Sequence, residues 1–118
     1  MDEEREITYV ADDVMQAALA TTREYALVIL RQGPAYHGEE ARTIVWEHGR
    51  RNFGLRADGV LNVVCPVLDD SEVCGIGIFD ASVAEAYTIM AGDPAVQAGV
   101  FLYDVHPCRS FPGDALAR

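Results

Sequence analysis

Paired cysteine is missing from this sequence. Its three cysteines, Cys65, Cys74 and Cys108, make no CxxC and no paired-ligand spacing, which argues against a disulfide framework and against a zinc site. The three histidines, His37, His48 and His106, form neither HxxxH nor HExxH. No metal and no cofactor is therefore expected. Basic residues are scarce: 9 Lys and Arg stand against 19 Asp and Glu, for a formal net charge of −10. Phosphate backbones and anionic membrane surfaces repel such a chain, so nucleic acid is disfavoured as a partner. Nothing approaches the run of about 20 apolar residues that spans a bilayer, and no membrane partner is expected. The opening Met1-Asp-Glu-Glu-Arg-Glu6 is acidic and polar, unlike a secretory or Arg-rich transit segment. The expected location is cytoplasmic. Internal repeats, low-complexity runs and linkers are also lacking.

What is present suits one domain. The chain has 118 residues, half of them hydrophobic, enough for a sizeable core. One stretch organises it, Ala41 to Leu55. On a helix of 3.6 residues per turn, Ala41, Ile44, Val45, His48, Asn52 and Leu55 share a face. His48 thus lies within an apolar stripe that must pack on something.

Taken in order, residues 1–10 read as a solvated lead-in. Asp12-Asp13 opens a short helix to Leu19, with carboxylates suited to its N-terminus. Tyr25 to Arg31 is apolar and partly β-branched, a strand buried on both faces. The organising helix runs from about Glu39 to Ala57, with Gly59 placed for a positive φ at its end. Val60–Cys65 and Glu72–Phe79 read as strands joined by a turn at Asp69-Asp70-Ser71. A turn centred on Asp69-Asp70 predicts that Cys65 and Cys74 oppose each other. Gly75 and Gly77 share one strand face, where bare backbone admits a helix, a ligand or a second subunit. Ser82-Val-Ala-Glu85 matches a capping box for a helix to about Met90. Asp93-Pro94 begins a turn with a short helical start, and Gly99–His106 is a last strand ended by Pro107. The tail carries no periodic signal.

An added helix followed by β-α-β-β-α-β predicts an α+β fold of the ferredoxin-like kind. That fold is a four-stranded antiparallel sheet with two helices on one face. The strands are apolar on both faces, with Leu27 and Ile29 against Val28 and Leu30. The face without helices therefore predicts a homodimer built sheet to sheet. Trp46 and Phe53 lie on an arc of the organising helix away from His48. They form a second apolar patch, for the N-terminal helix or for another subunit.

Glu47-His48, Leu55 with Asp58-Gly59, Cys65-Pro66, Gly75-Ile-Gly-Ile-Phe79, Asp93-Pro94 and Gly99-Val100 together resemble the YciI-like, YCII-related domain family. The similarity covers residues 25–107, leaving 1–24 as an N-terminal extension and 108–118 as a C-terminal tail. The family is similar to the wider dimeric α/β-barrel superfamily, in which two ferredoxin-like sheets pack face to face. The resemblance implies a site histidine at His48 and a site aspartate at Asp93. Two departures stand out: Cys65 where glycine is usual before the proline, and the extension itself.

With the resemblance beside the residues, two readings stand at each position. His48 is either a satisfied core histidine or a proton carrier, since a neutral imidazole near pH 7 can give or take a proton. Asp93 is either ordinary turn chemistry before proline or the partner that fixes the imidazole tautomer. Asn52, one turn beyond His48, lines the same pocket or caps the helix end. Glu47 falls off the stripe and reads as solvated. Tyr25 and Tyr103 read as core, and Cys108 as incidental. Two functions follow. The first is a small lyase or isomerase in which a His–Asp pair moves a proton on a small organic, even cyclic, substrate. The alternative is a non-catalytic dimeric module that binds a metabolite or a protein partner.

Overall fold

The computed structural model describes residues 5–118, and residues 1–4 of the lead-in lie outside the described residues. The chain divides into two compact units, residues 24–108 and a smaller one of the residues up to 23 and from 109 onward.

In the smaller unit, residues 5–11 form neither helix nor strand. Helix α1 spans Asp12–Leu19, with Asp12 and Asp13 in the first turn and none of its residues buried. The Thr21 and Thr22 hydroxyls donate to the carbonyls of Ala18 and Leu19 at 2.7 and 2.8 Å and close the helix.

The larger unit is α+β. Its strands are β1 (Arg23–Gln32), β2 (Leu61–Pro66), β3 (Val73–Phe79) and β4 (Phe101–Ser110), and its helices are α2 (Ala41–Ala57), α3 (Val83–Ala91) and α4 (Pro94–Gln97). The strands form one sheet in the order β2-β3-β1-β4, with β3 antiparallel to both neighbours. This order is consistent with the split βαβ arrangement expected from the sequence. Register pairs Val28 with Gly77, Leu30 with Gly75, and Val64 with Gly77, so these residues share one face. On that face Ala26, Val28, Leu61 and Phe79 form a core with Ala86 and Met90 of α3, and Leu55 of α2 packs against it. A second cluster joins Ala95, Val100 and Phe101 to Ile44 and Val45 of α2.

The opposite face carries Leu27 and Ile29, paired with Ile78 and Ile76. The two buried clusters with α2, α3 and α4 lie on the other side, and here Ile76 and Leu102 remain 37% and 43% exposed. Apolarity on both faces is therefore real; on this one Tyr25 is buried, Leu27, Ile29 and Ile78 are half-buried, and Ile76 and Leu102 are exposed.

Helix ends follow their local chemistry. Gly59 takes φ of 79°, and the Val60 N–H closes on the Leu55 carbonyl at 3.0 Å. The capping box is present: Glu85 N–H donates to Ser82 Oγ at 3.1 Å, and Ser82 N–H to Glu85 Oε1 at 2.8 Å.

Two expectations are corrected. The first concerns β4, which continues through Pro107 to Ser110. It is an edge strand, where a residue without an N–H can sit with its nitrogen away from the ladder. The second concerns Cys65, which opposes Ile76 rather than Cys74. The turn sits one residue further on than Asp69-Asp70: Val67 N–H donates to the Cys74 carbonyl at 2.9 Å. Along β1 the register steps from Leu30–Gly75 to Arg31–Val73, leaving Cys74 as an extra residue. A bulge of this kind re-aims one side chain. Cys74, like Tyr36, Ala41 and Ile44, packs against the Ala95, Val100 and Phe101 cluster, whereas Cys65 shares the face of Ile76.

Candidate active site

The amphipathic spacing of α2 places His48 where the sequence expects it. His48 is the buried residue of that helix, 7% exposed, with its ring edge-on to Phe101 at a centroid distance of 5.0 Å. Ile44, Val45, Asn52 and Leu55 are half-buried along the same stripe.

Asp93 reaches the ring from the other side. It is 0% exposed and stands at the N-cap of α4. Its Oδ2 accepts from the Ala95 and Val96 N–H groups at 3.0 and 3.2 Å. Its two oxygens lie 2.8 and 2.9 Å from His48 Nδ1. One carboxylate therefore caps a helix and also contacts the imidazole. Burial pushes the carboxyl up. The His48 hydrogen bond and charge, with the two backbone amides, outweigh burial and hold it below its ordinary value. An ionised Asp93 can only accept, so His48 Nδ1 carries the proton.

His48 and its neighbour Asn52 both line one cavity. In the neutral ring Nε2 is an acceptor, and the Asn52 amide Nδ2 stands 3.1 Å from it as donor. The cavity, about 370 Å³, lies between α2 and the sheet and is lined by His48, Asn52, Tyr36, Cys74 and apolar side chains such as Leu30, Met90 and Phe101. Gly75 and Gly77 form part of its wall. A Cβ at Gly77 would meet Leu61 and Phe79 side-chain atoms at 3.2 Å, and no helix atom is among its nearest neighbours. Close helix packing is therefore not why the glycine is there.

Three participants were not legible beforehand. Arg51 Nη1 lies 3.8 Å from Asp93 Oδ1 and has no hydrogen-bond partner. Its spacing of one turn from His48 was the available signal. Tyr36 and Cys74 interact inside the cavity. The Tyr36 hydroxyl is pushed up by the charge of Cys74, by burial and by their hydrogen bond. Burial, opposed by the Tyr36 bond, raises the Cys74 thiol, with Glu72 adding to the rise. Cys74 is accordingly a thiol near neutral pH and a poor nucleophile. Glu47 is exposed and pairs with Arg50 at 3.4 Å, away from the site. Tyr25 is buried, and the Tyr103 ring lies tilted against Tyr87 at a centroid distance of 5.9 Å.

Among the described residues no group of three or more His, Cys, Asp or Glu is placed to hold a metal ion. No helix among them is long and apolar enough to cross a membrane. Chemically, the arrangement offers an imidazole held by Asp93 at one nitrogen and hydrogen-bonded to Asn52 at the other, in the wall of a largely apolar chamber. No protein-family model matches this chain, and no curated protein matches it.

Proposed function

We propose that this chain is a YciI-like protein of the dimeric α/β-barrel type, acting as a small lyase or isomerase with His48 as general acid and base. The observation that carries this reading is the contact of 2.8 Å between His48 Nδ1 and the fully buried Asp93, beside a cavity that His48 and Asn52 line. A core histidine needs partners for its ring nitrogens but no cavity beside it. Here Asp93 fixes the tautomer and stabilises the imidazolium when Nε2 takes a proton. The substrate is a small, largely apolar organic molecule. One proton leaves a carbon or oxygen for Nε2 and is returned at a second atom, so the ring ends each cycle as it began. Asn52 yields Nε2 to the substrate as it enters.

The fold's open face supports the second half of the proposal. Ile76 and Leu102 are exposed there beside Leu27, Ile29 and Ile78, and a second copy would cover them sheet to sheet as a homodimer.

One observation favours the binding-module reading: Asn52 already satisfies Nε2, as in a site that recognises rather than reacts. A turnover screen with lactones and with hydroxylated or chlorinated ring acids separates the two. Loss of turnover in both His48→Gln and Asp93→Asn, with folding retained, supports the enzyme. Ligand binding without turnover in the unaltered protein supports the module.

A further inference from the structure

Gly49 stands in the interior of α2 with no local reason to be glycine. Its φ is not positive, and a Cβ built there meets nothing within 4 Å. Glycine weakens a helix interior relative to alanine, so a bare position facing open space calls for another explanation. Gly49 borders two cavities. One is the His48 chamber. The other is a more open groove of about 730 Å³ on the outer side of α2, which shares Tyr36, Val45, Gly49 and Phe53 with the chamber.

The two differ in charge. No arginine lines the chamber, whereas Arg42 and Arg50 line the groove with His37 and Trp46. Helix α2 carries four arginines, Arg42, Arg50, Arg51 and Arg56, against the single acid Glu47, within a chain of net charge −10. Positive charge is thus concentrated on the helix that separates the cavities. Trp46 and Phe53 lie exposed beside it, at 69% and 65%. A carboxylate deep in the chamber would lack a cation and be costly to bury. The same carboxylate in the groove would meet the Arg42 guanidinium and that of Arg50, which it would share with Glu47.

We infer that chamber and groove form one two-part site for a small amphipathic organic acid. Its apolar body enters the chamber toward His48, and its carboxylate stays in the groove with Arg42 and Arg50. Gly49 is the saddle across which the ligand lies. The inference deepens the proposed function and rests on the chamber being the reacting end.

Trp46 is the chain's one tryptophan and lines the groove, so its fluorescence reports occupancy. The probes are hexanoate and its neutral counterpart hexanamide. Hexanoate should change Trp46 emission saturably. The double variant Arg42→Gln/Arg50→Gln should weaken hexanoate about tenfold, the scale of a lost charged hydrogen bond, and leave hexanamide unchanged. Gly49→Ala should raise the unfolding midpoint and weaken both probes, and Gly49→Leu should abolish binding. Gly54 also has nothing within 4 Å of a built Cβ and lines neither cavity. Gly54→Ala should therefore raise the midpoint with binding intact. Equal hexanoate affinity in the arginine variant, or intact binding in Gly49→Leu, would overturn the inference. So would a protein-concentration-dependent shift of Trp46 emission without probe, which assigns the groove to a second copy. Turnover that depends on His48 without hexanoate binding would remove this inference alone; binding without such turnover would remove the catalytic reading alone.

Discussion

The carboxylate of Asp93 and the imidazole of His48 meet at 2.8 Å across 45 positions of sequence, and the same carboxylate caps α4. Removing it therefore breaks two things. Asp93→Ala leaves the His48 Nδ1–H and two backbone donors without an acceptor in a buried place. The expected loss is about 3 kcal/mol or more. Asp93→Asn keeps an amide oxygen for the cap and should cost less. Urea unfolding of the two variants, compared with the unaltered chain, measures the difference. Equal midpoints in all three would contradict the structure.

Acid stability follows from the same group. The Asp93 carboxyl is held below its ordinary value, burial being outweighed by His48 and the amides. A depressed carboxyl contributes stability that is fully present above the unfolded value, about 3.9, and is lost as pH falls through the folded value below it. Glu85, Asp69 and Asp104 are also lowered, through Ser82, Ser71 and Arg31. The difference between the unaltered chain and Asp93→Asn isolates Asp93. That difference should shrink as pH falls below about 4. A difference that does not vary with acid would show that Asp93 is not ionised in the fold.

Asn52 offers a third prediction. Its amide donates to Nε2 over 3.1 Å. Asn52→Asp puts an acceptor where that donor stands, and the ring can satisfy it only with a proton on Nε2. Nitrogen-15 spectra of this variant at neutral pH should show a ring protonated on both nitrogens. A spectrum unchanged from the unaltered protein would mean that Asn52 does not touch the ring in solution.

The open sheet face supplies a fourth. Ile76→Glu with Leu102→Glu places charges on that face of each copy and should convert a dimer to a monomer. Sedimentation reads the result. An obligate interface of this type buries more than about 2,000 Å². A monomer before substitution, at micromolar concentration, would remove the dimer from the account.

Local chemistry was the legible part of this chain. The stripe of Ile44, Val45, His48 and Asn52, the Ser82–Glu85 box and the positive φ at Gly59 all follow from residue type and spacing. The order of strands and helices followed from them. Asp93 is a different case. Its residue type predicted a turn and nothing more, and only the family resemblance joined it to His48. The rest depends on offsets that no spacing encodes. One residue of turn length moved Cys74 away from Cys65, and a bulge then carried it to the face beside Tyr36. Arg51 reaches Asp93 only because α4 is folded against α2. Pro107 looked like a strand end because its edge position was not known.

The most direct test is the nitrogen-15 tautomer spectrum of His48 in the unaltered protein, which needs no substrate. The account predicts one proton on Nδ1, an unprotonated Nε2, and loss of that tautomer preference in Asp93→Asn. A neutral ring protonated on Nε2, or a spectrum indifferent to Asp93→Asn, would contradict it.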